Sequence, residues 1–214
     1  MKTRNLIFAS LLLLGCSSIL LAQTGRSVGI VLLAQTSKEA AQAPADKGTA
    51  LDAQREKRAL QILLKLGQTL IVSAAEAMPA DKYGFTPTDG EFKGVRTFAQ
   101  QLKHLAATNH ILAAAALGEE PPPDAGDELG PEAVRTKAEI LDYLNGSFAD
   151  LGKAIDAIGE KNGVVKSSPI SPLQGNTATR LALIVEAMIH AFDHYGQMVE
   201  YLRMNGVVPP ASRP

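Results

Sequence analysis

His190 and His194 stand four residues apart in "MIHAFDHYGQMVEYLRMNGVVPP", Met188–Pro210, in a chain with only four histidines. On a helix that spacing stacks two side chains one turn apart, about 6 Å between Cβ atoms, and two imidazoles so placed can chelate one divalent ion. A bare H-x-x-x-H lacks the glutamate of a zinc-protease motif. On spacing alone the plainer reading is a half-buried pair with no ligand. A useful metal site needs a third arm, and His104 and His110 are the candidates. His104 sits at the edge of an apolar arc made by Phe98, Leu102, Leu105 and Leu112, whereas His110 is turned ~120° away, in a sector with Lys103. His104 is the better third ligand, and His110 is read as a solvated or half-buried histidine.

The elements that must carry these residues read as helices. The last runs from about Asn176 to Asn205, with Gly206 suited to a left-handed C-terminal position and Pro209–Pro210 preventing continuation. Its Leu181, Val185, Met188, Phe192, Tyr195, Val199 and Leu202 alternate spacings of four and three, which predicts a bundle seam. His190 and His194 fall on one flank of that stripe with Leu183 and Tyr201. Gln197 lies beside them, and Glu186, Asp193 and Glu200 lie on the polar side. Asp193 therefore reads as a solvated carboxylate. Three further helices are expected: Leu51–Met78, stopped by Pro79; Phe92–Gly118, stopped by Gly118 and Pro121–Pro123; and a third opening at Pro131, where a missing N–H costs nothing. The fold class is all-α, a four-helix bundle. Its connections, roughly 12–15 residues, exceed ordinary bundle turns and permit links between non-neighbouring helices. Phe85, Phe98 and Tyr201 read as core first and as pocket walls second.

Composition narrows the function. The chain is 46% hydrophobic and 20% charged with a net charge of -1, so it offers no electrostatic footprint for nucleic acid. The only cysteine is Cys16, which leaves the folded domain without a disulfide, a thiol nucleophile or a thiolate ligand. No Ser-His-Asp set, phosphate loop or carboxylate pair offers another mechanism. Residues 1–22, "MKTRNLIFASLLLLGCSSILLA", place Lys2 and Arg4 ahead of an apolar run and predict a signal peptide and export to the periplasm or beyond. "LLAQT" occurs twice, so cleavage could fall after Ala22 or as late as Ala34. The alternative is a lipoprotein anchored at Cys16 of "LLGC". Residues 35–50 read as a flexible linker and 51–210 as the bundle.

"HAFDHYGQMVEYLRMNGVVPP" resembles the closing motif of the DinB-like (DinB/YfiT-type) metalloenzyme family. The matching features are His190 and His194, Gly196-Gln197, Leu202-Arg203 and Gly206 to Pro210. "KYGFTP" followed by a helix with His104 before Leu-Ala is similar to the family's first metal-histidine region, and "TKAEILDYLNGSFADLGKAI" is a softer match. The resemblance covers about Leu51 to Pro210. It implies a bundle of unusual connectivity and a three-histidine site of His104, His190 and His194. That site would hold zinc, nickel, iron or manganese, with zinc first among them. It also implies a metal-dependent transferase using a small thiol, or a hydrolase, acting on a small molecule that the sequence does not name. Relatives suggest a homodimer. The alternative is a non-catalytic metal-binding or stress-associated bundle. Tyr195 departs from the pattern, standing where many members carry a basic residue or a further histidine, which bears on substrate recognition rather than on ligation.

Overall fold

The structure, a computed structural model, describes residues 47–125, 128–159, 165, 168–173 and 178–214. The signal-peptide and lipid-anchor readings fall on residues outside that set, as does most of the linker reading. Four helices carry the fold: α1 (Lys47–Ala77), α2 (Phe98–Leu117), α3 (Lys137–Asp156) and α4 (Arg180–Met204). Among the described residues three 3-10 turns accompany them, at Ala80–Lys82, Pro123–Ala125 and Pro210–Ser212, and no strand occurs. No helix among the described residues is long and apolar enough to cross a membrane.

The helix starts differ from the sequence expectation, and the cause is capping. α2 begins at Phe98 rather than Phe92, because Thr97 and Gln100 close a reciprocal box: Gln100 N–H donates to Thr97 Oγ1 (3.1 Å) and Thr97 N–H to Gln100 Oε1 (2.8 Å). α3 begins at Lys137 rather than near Pro131. Glu139 N–H donates to Thr136 Oγ1 (3.3 Å) and Thr136 N–H to Glu139 Oε2 (2.8 Å). Pro131 instead opens a turn whose carbonyl accepts from Val134 N–H. Gly118, at φ +79°, ends α2 in the left-handed conformation that glycine takes without strain.

The connections, 78–97, 118–136 and 157–179, are longer than expected; the first joins α1 and α2, which do not pack as neighbours, the second joins the closely packed α2 and α3, and the third joins α3 and α4. α1 packs against α3 and α4, and α2 against the same two, while α3 and α4 touch only lightly. Directions follow from paired residues. Lys57 reaches Asp156 and Lys137 reaches Glu76, so α1 and α3 are antiparallel. Gln101 meets Gln197, and Arg180 reaches the carbonyl of Ala116, so α2 and α4 are antiparallel as well. Asn109 pairs with Ser147 and His110 with Asp150, which makes α2 and α3 parallel.

α2 is buried on almost every side, and Phe98, Leu102, Leu105 and Leu112 are 1% exposed or less. Burying Phe98, edge-on to the Tyr83 ring at 5.3 Å, contributes about 2–3 kcal/mol. Ala113–Ala116 are buried, and Arg180 Nε donates to the Ala116 carbonyl at 2.7 Å. On α4 the expected seam is rotated. Ile184, Ala187, Met188, Ala191, His194, Met198, Tyr201 and Leu202 are buried, whereas Val185 and Phe192 are each 37% exposed. The reason is the crossover order. α4 faces α1 and α2 together, so its buried arc centres between them rather than on a single two-helix seam.

Candidate metal centre

The antiparallel packing of α2 and α4 brings His104 opposite His190 and His194. The three Nε2 atoms converge: His190 Nε2 lies 3.1 Å from His104 Nε2 and 3.0 Å from His194 Nε2. The rings stand edge to face, with centroids 4.4–5.0 Å apart. His194 is buried rather than at the border with water, because the α4 face is turned toward α2; His190 is half-buried.

Hydrogen bonding alone does not satisfy this cluster. His104 Nδ1 donates to the carbonyl of Glu128 at 2.9 Å, which fixes its tautomer and leaves Nε2 with a lone pair. His190 Nε2–H, if present, can serve only one of its two neighbours. His190 Nδ1 and His194 Nδ1 are buried without a protein partner among the described residues. Burial, reinforced by the His104 charge, pushes His190 down to about 4, and burial with the His190 and His104 charges pushes His194 down to about 3. His104 is lowered mainly by burial, against the opposing hydrogen bond to Glu128. Near neutral pH the imidazoles are therefore uncharged donors.

A divalent ion fits the donors. Metal–nitrogen bonds of about 2.0–2.1 Å put two ligands about 2.9 Å apart at a right angle and about 3.4 Å apart at the tetrahedral angle. The observed 3.0 and 3.1 Å fall between these limits. The donor set is all nitrogen and neutral, which suits zinc, nickel or iron by ligand type.

The surroundings contain groups that spacing along the sequence did not reveal. Glu128 comes from the 118–136 connection and adopts φ +73°, a left-handed conformation rare for a residue with a side chain. That backbone turn aims its carbonyl at His104, and its carboxylate lies 3.6 Å from His104 Nδ1. Gly130, at φ +70°, lets the same segment close on α2; a Cβ there would stand 3.2 Å from the Lys103 carbonyl. Arg96 is half-buried, and its charge opposes protonation of all three imidazoles. Its carbonyl accepts from Tyr201 Oη at 3.1 Å.

A pocket of about 690 Å³ opens against His190, with Thr108 and Glu128 on its wall. Phe85, Phe98 and Tyr201 take no part in it. Phe98 is core, and Phe85 packs edge-on to Tyr201 at 5.7 Å. Gln197, expected beside the histidines, accepts from Gln101 Nε2 at 2.8 Å and donates to the exposed Asp193 at 2.9 Å. His110 lies apart from the cluster and is half-buried, with Nδ1 2.8 Å from Asp150 Oδ2.

No curated protein matches the chain. A family model described as "DinB superfamily" matches residues 63–198, a span that takes in all three clustered histidines and most of the bundle. A bundle of four helices with crossed connections, His104, His190 and His194 gathered between α2 and α4, and a family match over more than half the chain lead to one conclusion: the chain belongs to the DinB superfamily.

Proposed function

We propose that this chain is an exported, metal-dependent enzyme of the transferase or hydrolase type, with a divalent ion held by His104, His190 and His194. The observation that carries the reading is the convergence of three neutral Nε2 donors beside a ligand-sized pocket that His190 itself lines. An ion with open positions would supply a Lewis acid that polarises a substrate oxygen or acidifies water or a thiol. The chain's own groups supply the rest. His104 is held in one tautomer by the Glu128 carbonyl. The Glu128 carboxylate stands at the same end of the pocket, as a proton acceptor for a nucleophile. The predominantly apolar walls lower the local polarity and strengthen electrostatic contacts beside them. Because Cys16 is the only cysteine, a transferred thiol must come from outside.

The test is activity profiling of protein loaded with zinc, nickel or manganese against esters and thiol acceptors. Turnover that is lost on chelation and in His194→Ala supports the reading. Turnover indifferent to both, or none with any metal, contradicts it. Export is tested by fractionation and intact mass: loss of about the first 22 residues is expected, and a diacylglyceryl mass on Cys16 would replace the soluble form with an anchored one.

A further inference from the structure

The pocket beside His190 is walled by Leu112, Ile170, Leu173, Leu181, Val185 and Ile189, and about 690 Å³ lies in the range of small-molecule sites. Among the described residues its charged lining consists of Glu128 and Glu186, with no lysine or arginine. Glu186 is engaged by Ser171 Oγ at 2.7 Å. Such walls repel an anion and reward apolar surface. One polar atom stands out. Thr108 is 5% exposed, lines this pocket one helical turn beyond His104, and its Oγ1 is buried with no hydrogen-bond partner among the described residues. A buried hydroxyl left unpaired is costly, and a ligand acceptor would relieve that cost.

We infer that the ligand of this pocket is a neutral, predominantly apolar carbonyl compound. Its chain lies along Leu112, Leu173 and Leu181, and its carbonyl oxygen accepts from Thr108 Oγ1 at the histidine end once the Thr108 side chain turns its enclosed hydroxyl to the pocket. The choice of a carbonyl rests on the proposed metal-dependent activity; the apolar, uncharged body rests on the pocket alone. Thr108 is thus assigned as the group that sets the reacting end of the substrate.

Unbranched 2-alkanones of four to ten carbons, displacing the neutral fluorophore N-phenyl-1-naphthylamine from metal-free and zinc-loaded protein, test this. Affinity is expected to rise about threefold to fourfold per methylene until the pocket fills. In the metal-free protein octanoate should bind at least about tenfold more weakly than the matched ketone, since its charge meets Glu128 and no cation among the described lining residues. Thr108→Val should weaken every ketone about threefold to tenfold while leaving toluene unchanged, and Thr108→Ser should restore the ketones. Absence of chain-length dependence, octanoate binding metal-free protein as tightly as the ketone, or a Thr108→Val protein that binds ketones normally would each overturn the inference. Metal-free protein that shows this selectivity, while loaded protein turns nothing over, would reject the enzyme reading and leave the ligand class standing. Metal-dependent turnover of charged substrates alone would do the reverse.

Discussion

Acidifying the metal-free protein from pH 7 to pH 5 should cost stability through two imidazoles. An unfolded histidine, with its value near 6.5, takes up protons over this range and is stabilised by about 1.9 kcal/mol. In the folded chain burial and mutual repulsion hold His190 near 4 and His194 near 3, so at pH 5 both remain almost wholly neutral. The folded values are depressed. The contribution is therefore complete above about 6.5 and is lost as the pH falls below it. The two sites together set an upper limit of about 4 kcal/mol, which residual solvent contact and coupling between the rings reduce to about 2–3 kcal/mol. In urea unfolding with a slope near 2 kcal/mol/M, the midpoint should fall by about 1 M. The comparison that isolates the effect is His190→Gln/His194→Gln, which keeps His110 and every carboxylate. Its midpoint should move between the two pH values by about 1 M less than that of the natural chain. Equal pH shifts in the two proteins would refute the claim that these imidazoles are buried neutral.

Other outcomes follow from single contacts. Gly130→Ala should destabilise the chain by about 1–3 kcal/mol in thermal unfolding, because it adds a Cβ at φ +70° and 3.2 Å from the Lys103 carbonyl. Glu128→Gln should leave metal content unchanged and slow turnover by about 100-fold or more, since only the proton acceptor is lost; a fall in metal content would reassign the residue. Thr136→Ala removes one half of the α3 capping box and should cost about 1 kcal/mol in urea unfolding.

Much of the centre was legible because helical spacing is local. The i, i+4 pair on α4 and the apolar arc around His104 both follow from 3.6 residues per turn, and the structure brings these three residues to one point. The rotation of the α4 face was not legible. Val185 and Phe192 belong to a correct heptad pattern, but helix order around the bundle decides which arc is covered, and that order is set by long connections. Glu128 escaped notice because its role comes from a left-handed backbone turn, for which a glutamate gives no signal. Thr108 was hidden among small residues of α2, and only tertiary packing leaves its hydroxyl unpaired. The helix starts could have been found: T-F-A-Q and T-K-A-E are capping-box sequences, and they place the first turns where the structure has them.

X-ray absorption at the metal edge of the zinc-loaded chain tests the three-histidine centre most directly. Three imidazole nitrogens at about 2.0–2.1 Å are expected, one ion per chain, with the signal lost in His104→Ala and kept in His110→Ala. A shell of oxygen alone, or an ion that persists unchanged without His104, would contradict it.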